Sequence, residues 1–107
     1  MKEQRMQEYR VKRIVPVLAH FDEEGKITPK VIEFDEQHRY TVAKVLDRRR
    51  AACESVGGVG IRFTCLACPK KNSPQVEQTY LWLEKGIWFV EERRYKNTVE
   101  TNNSVVE

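Results

Sequence analysis

The stretch from Tyr80 to Val90 constrains this chain more than any other. Two apolar runs, Tyr80-Leu81-Trp82-Leu83 and Ile87-Trp88-Phe89-Val90, flank the short loop Glu84-Lys85-Gly86. Runs this short cannot make a stable helix, and their aromatic and β-branched members suit a pleated surface. The loop ends on a glycine, where a tight hairpin needs a left-handed residue. The hairpin is apolar on both sides, because successive side chains on a strand point to opposite faces. Leu81, Leu83, Trp88 and Val90 share one face; Tyr80, Trp82, Ile87 and Phe89 share the other. One set finds the core. The other must be covered by a terminal segment or by a partner chain, either another protein or a second copy of this one, so Tyr80, Trp82, Ile87 and Phe89 are the candidate partner-binding residues.

Strand-length apolar runs punctuated by polar turns continue upstream. Val11, Ile14, Val15, Val17, Leu18, Ala19 and Phe21 form a β-branched run. Pro16 lies inside it and cannot donate to a ladder, which predicts an edge or a bulge. Asp22-Glu23-Glu24-Gly25-Lys26 reads as a hairpin loop. A second strand is expected from Lys26 to Phe34, irregular near Pro29, then a turn at Asp35-Glu36-Gln37-His38. A third begins near Arg39. Val42, Val45 and Leu46 do not alternate cleanly, so a bulge should switch its inward face. Arg48 to Cys53 has helix formers but no apolar stripe and reads as continued strand or turn. After the breaker Ser55-Val56-Gly57-Gly58-Val59-Gly60 come a strand from Ile61 to Cys68, a polar loop from Pro69 to Gln75, and the final hairpin.

The sequence therefore predicts an all-β domain. Its six strands would run as an antiparallel meander in a curved sheet or a small SH3-like barrel, which removes exposed edges. We expect a polar lead-in over 1–8, one β-domain over 9–94 and a polar tail over 95–107. The expected core is Val15, Val17, Phe34, Tyr40, Val42, Val45, Ile61, Phe63, Leu81, Leu83, Trp88 and Val90.

A length of 107 residues suits one domain with a modest core. Hydrophobic residues make up 40% and charged residues 33%, in mixed sign, unlike a disordered chain. No run approaches the ~20 apolar residues needed to cross a bilayer. The first residues are charged, with no apolar stretch after them, so no signal peptide is expected. Three cysteines, an odd number, do not suit a secreted disulfide scaffold. The expected location is cytoplasmic, with reduced thiols.

Several motifs could carry chemistry. Cys65 and Cys68 have the spacing of half a zinc site, and with Cys53 and His38 they could complete a small zinc-binding domain. The second paired motif that makes such a signal specific is missing. On a strand, moreover, residues three apart point to opposite faces unless Pro69 starts a turn. The bland reading is a buried small thiol and another at a strand end. Arg48-Arg49-Arg50 with Lys70 and Lys71 is the densest positive cluster. Gathered beside the hairpin aromatics, it would form a nucleic-acid-binding face. Its bland reading is a set of solvated strand positions, and the net charge of +3 is too small to decide. His38 near Asp35 and Glu36 lacks a companion nucleophile. Gly57-Gly58-Val59-Gly60 is not followed by the lysine and hydroxyl of a phosphate loop. We expect no enzyme, no cofactor and no small-molecule substrate.

One resemblance rests on particular residues. These are Gly25 followed by Pro29, Ile32-x-Phe34, the run Arg39 to Arg50, Gly60-x-Arg62-Phe63-Thr64, and Gly86-x-Trp88-Phe89-Val90-Glu91. In this order they resemble a small bacterial β-domain found alone in low-GC Gram-positive bacteria. It is similar to domains appended to error-prone Y-family polymerase-like proteins. The likeness spans about Val11 to Glu91 and brings no catalytic residues; the Cys65/Cys68 pair is not part of it. The two-sided apolar hairpin and the lack of a catalytic set lead us to expect a non-enzymatic interaction or adaptor domain, and the resemblance implies a DNA-damage or nucleic-acid setting for it.

Overall fold

Seven strands form one antiparallel sheet in a computed structural model that describes residues 3–54, 56–69 and 74–100. They are β1 (Glu3–Ile14), β2 (Val17–Phe21), β3 (Ile27–Glu33), β4 (Arg39–Ala52), β5 (Val59–Cys68), β6 (Glu77–Glu84) and β7 (Ile87–Glu100). The spatial order is β1-β7-β6-β5-β4-β3-β2. Strands β2 to β7 are the expected meander. The all-β antiparallel class is present, but the count is seven rather than six, and the sheet is not closed into a barrel.

Pro16 accounts for the extra strand. The run from Val11 to Phe21 does not continue as one strand; it breaks at Val15-Pro16 into β1 and β2, which lie at opposite edges. Val15 N–H donates to Trp88 O at 3.1 Å, and Pro16 O accepts from Glu33 N–H at 2.9 Å. Two residues thus bridge the two ends of the sheet, so the sheet must curl until its edges meet at that corner. No ladder joins β1 to β2 among the described pairings, and the curl stays open.

The ends of the chain also depart from expectation. The expected lead-in over 1–8 enters β1 at Glu3, and the expected tail is strand as far as Glu100. The ladder of β1 with β7 runs from Glu3↔Glu100 to Ile14↔Phe89. Beyond Arg10 and Arg93 these strands form a two-stranded ribbon clear of the body. The chain is accordingly elongated, with extents of 62 × 32 × 23 Å and a radius of gyration of 17.9 Å. A compact chain of this length would have about 13 Å. Neither ribbon strand carries an alternating apolar pattern, because neither face of the ribbon is buried.

The main core lies on the inner face of the curl. Val15, Ile32, Val42, Phe63, Cys65, Leu81 and Val90 are buried there, with Val17, Ile27, Phe34, Tyr40, Val45, Leu83 and Trp88 packed against them. Ile61, expected inside, is exposed. Strand β4 keeps Val42 and Val45 inward through register shifts between Val42 and Lys44 and between Val45 and Asp47. Pro29 sits where β3 pairs with β2 alone, since its ladder to β4 covers only Val31 to Glu33. A missing N–H leaves no gap on that side. Lys85 (φ 50°) and Gly86 (φ 81°) form the two-residue turn of the last hairpin, closed by the pair Glu84↔Ile87. Both residues are left-handed, which matches the twist of the flanking strands.

Candidate interaction site

The structure covers part of the second hairpin face with the chain itself. Trp82 is 3% exposed and Phe89 1%, so neither is open to a partner. Their rings stack at 5.8 Å, and Cys53, Ala51 and Val56 close over them. The segment after β4 makes this cover by turning on itself: Gly57 N–H donates to Cys53 O, and Cys53 N–H to Gly58 O. Lys12 Nζ lies 4.4 Å above the Phe89 ring, and the Arg62 guanidinium lies 4.6 Å from the Tyr80 ring centre. Tyr80 and Ile87 remain exposed. Among the described residues the apolar part of this cover is supplied by the end of β4 and the β4–β5 connection, whose small residues carry no periodic apolar signal.

Glu84 pins this cover to the edge of the sheet. Its Oε1 accepts from Lys12 Nζ at 2.6 Å, and its Oε2 accepts from Val59 N–H at 3.1 Å. Lys12 first and the Val59 N–H second hold the Glu84 carboxyl below its ordinary range. Gly60, next to Val59, packs on β6 so tightly that a Cβ there would overlap the Leu83 carbonyl oxygen.

The proposed zinc ligands do not come together. Cys65 is buried in the main core, whereas Cys53 is buried under the second face. Cys68 ends β5 opposite Thr41. His38 is exposed in the β3–β4 turn, its Nδ1 2.7 Å from Asp35 Oδ1. Among the described residues no three His, Cys, Asp or Glu side chains could share a metal ion. Burial pushes the Cys65 thiol up to about 11, so it stays protonated at neutral pH. Alternation along β5 separates the two cysteines, as strand geometry requires.

The arginine run is divided in the same way. Arg48 and Arg50 stand opposite Phe63 and Ile61, on the inner side, while Arg49 stands opposite Arg62, on the outer side. Arg48 lies 5.7 Å from the Phe63 ring centre, and Arg49 is held by Asp47 at 2.7 Å. The run is therefore not one patch. Lys70 and Lys71 lie outside the described residues.

A different feature has the form of a binding site. The ladder of β6 with β7 covers only Trp82↔Phe89, Leu83↔Trp88 and Glu84↔Ile87. Beyond it the strands part. On one side Glu77 to Leu81 pair with β5, and on the other Val90 to Glu100 pair with β1. Between them is a fork open to both faces. Its outer mouth is a groove of about 420 Å³ lined by Ala52, Glu54, Arg62, Tyr80, Trp82 and Glu91. Its inner mouth, about 490 Å³, is bordered by Glu77 and Thr79 on β6, Val90 to Arg93 on β7, and Phe34 and Tyr40 across the curl. Arg13 helps to hold the inner mouth in shape, donating to Phe34 O at 2.7 Å and to Glu92 Oε2 at 2.6 Å. Trp82 Nε1 and Arg62 Nε, at the outer mouth, are buried donors with no acceptor among the described residues.

Tyr80 and Trp82, expected on an open hairpin face, line the outer mouth of this fork, and its acids were not among the expected site residues. The divergence of β6 and β7 has no signature in either strand, because it depends on β7 staying with β1 while β6 stays with β5. Compared with family models, curated proteins and solved structures, the chain matches none.

Proposed function

We propose that this domain is a non-enzymatic interaction module that binds an extended segment of another protein in the fork between β6 and β7. One observation carries the reading: two strands of the same sheet face each other across an open slot, each paired only on its far side. Strand edges of this kind accept an added strand through main-chain hydrogen bonds, while flanking grooves read alternate side chains. Here an inserted segment meets an edge on either side, with Tyr80 at one mouth and Tyr40 and Phe34 at the other. By resemblance, proteins of DNA-damage metabolism are the partners to try first. Peptides selected from a random display library, followed by hydrogen exchange, test the proposal. Selected peptides should slow exchange in Glu77–Leu81 and Val90–Arg93. Protection confined to the outer edges of β1 or β2 would refute it.

A second reading, nucleic-acid contact, is favoured by the ribbon rather than by the arginine run. Arg5, Tyr9, Arg94 and Lys96 occupy one face of it by register, and Lys96 Nζ lies 5.6 Å from the Tyr9 ring centre. A two-stranded ribbon has the width to enter a major groove. Anisotropy titrations with duplex and single-stranded DNA should then show affinity falling steeply with salt. An absence of binding at low salt removes this reading and leaves the first intact.

A further inference from the structure

We infer that the segment received by the β6–β7 fork is basic; this rests on the fork being the binding site. The chain carries net charge +3, yet acids outnumber bases among the residues that line each mouth of the fork. At the outer mouth Glu54 and Glu91 stand against Arg62, and at the inner mouth Glu77, Glu91 and Glu92 stand against Arg93. The cations there are already engaged, and so are two of the carboxylates: Glu91 accepts from Arg10 at 3.5 Å, and Glu92 accepts from Arg13 at 2.6 Å and Arg94 at 2.7 Å. Arg62 lies against the Tyr80 and Trp82 rings, and Arg93 reaches Glu8 at 3.4 Å. Glu54 and Glu77, by contrast, form no ion pair among the described residues, and both are exposed.

The charge pattern also fits the geometry of an inserted strand. Successive side chains of such a segment point alternately to the two mouths. A lysine or arginine pointing outward would therefore face Glu54, and one pointing inward would face Glu77, the two lining carboxylates without an ion pair among the described residues. Tyr80, 43% exposed at the outer mouth, adds a ring edge for an alkyl stem. The unpartnered donors Trp82 Nε1 and Arg62 Nε border the same mouth. A backbone carbonyl is an acceptor that suits them without bringing negative charge, whereas an acidic side chain would meet Glu54 and Glu91.

The test uses the full chain and three labelled strand-forming peptides that differ only at their polar positions, filled with Lys, Gln or Glu. Anisotropy should show the Lys peptide binding about tenfold tighter than the Gln peptide, equivalent to about 1.4 kcal/mol, with the Glu peptide weakest. The preference should shrink with added salt. In the variant Glu54→Lys/Glu77→Lys the order of the Lys and Glu peptides should reverse; both positions are exposed, so the fold is kept. Hydrogen exchange is read in parallel. Equal binding of all three peptides, with Glu77–Leu81 protected, overturns the charge inference while the fork remains the site. If no peptide protects that stretch, the fork reading falls as well.

Discussion

The body of the sheet and the β1–β7 ribbon use the same antiparallel ladder for opposite purposes. In the body, Phe63, Leu81 and Ile32 are wholly buried, and the backbone pairing serves to line up apolar faces. In the ribbon, Met6, Tyr9 and Tyr95 are exposed, and the ladder from Glu3↔Glu100 inward is supported by surface charge pairs such as Arg93 with Glu8 and, at its root, Arg10 with Glu91. Exposed pairs of this kind contribute about 0–1 kcal/mol each. A two-stranded ribbon with no buried face is marginal in water. The ribbon therefore depends on its root, where Arg13, Lys12 and Ile14 join the body, and the body does not depend on the ribbon's tip. The difference shows that backbone pairing extends a strand but does not anchor it.

The largest expected effect tests the body. Phe63 fills the centre of the main core and packs against Trp88 at 5.4 Å between ring centres. Phe63→Ala should cost about 3–5 kcal/mol in urea unfolding, enough to leave much of the chain unfolded at 37 °C. A loss below about 1 kcal/mol would mean that the core is not where the structure places it.

Next comes the seam between β5 and β6. Gly60→Ala puts a methyl against the Leu83 carbonyl, a backbone atom that cannot rotate away. The expected cost is about 1–3 kcal/mol, and the neighbouring hydrogen bond from Val59 N–H to Glu84 should break as the strands shift apart. An unchanged melting temperature would show that the two strands lie farther apart.

The ribbon should respond weakly. Tyr9→Ala removes the Lys96 contact and little apolar burial, and should cost under about 1 kcal/mol. Native-state hydrogen exchange should find the amides of Arg5–Tyr9 and Arg94–Asn97 far less protected than those of Phe63 and Leu81. Equal protection in the two regions would abolish the distinction between body and ribbon.

The smallest effect is a pH dependence spread over both regions. His38 holds Asp35 low, the Lys26 N–H holds Asp22 low, Lys12 holds Glu84 low, and Arg94 with Arg13 holds Glu92 low. A carboxylate whose pKa is lowered by folding adds stability that is fully present above its ordinary value. That contribution is lost as pH falls through the lowered value. These four groups should therefore leave stability unchanged from pH 5 upward and reduce it below about pH 4. Denaturant midpoints at pH 7, 4 and 3 measure this. In Glu84→Gln/Glu92→Gln the acid loss should be smaller, and the part that disappears belongs to the ribbon root.

What the sequence determined by itself was the class of structure and most of its core. Apolar runs of strand length and turn residues at Gly25, Asp35 and Gly86 specify antiparallel hairpins, because period-two alternation and turn chemistry are local. The uneven spacing of Val42, Val45 and Leu46 likewise announced the bulges of β4. Ile32 and Cys65 belong to the buried core although the expected core left them out. Only the tertiary structure decided the rest. The ribbon strands are held by pairing between residues as far apart in sequence as Glu3 and Glu100, which leaves no pattern in either one. The second hairpin face looked free because its cover is a glycine-rich turn whose position depends on the whole sheet. The fork exists because β7 stays with β1 while β6 stays with β5, so the two strands part beyond Trp82↔Phe89. Local propensity sets what a segment can form; which of two distant partners it keeps is a property of the assembled sheet.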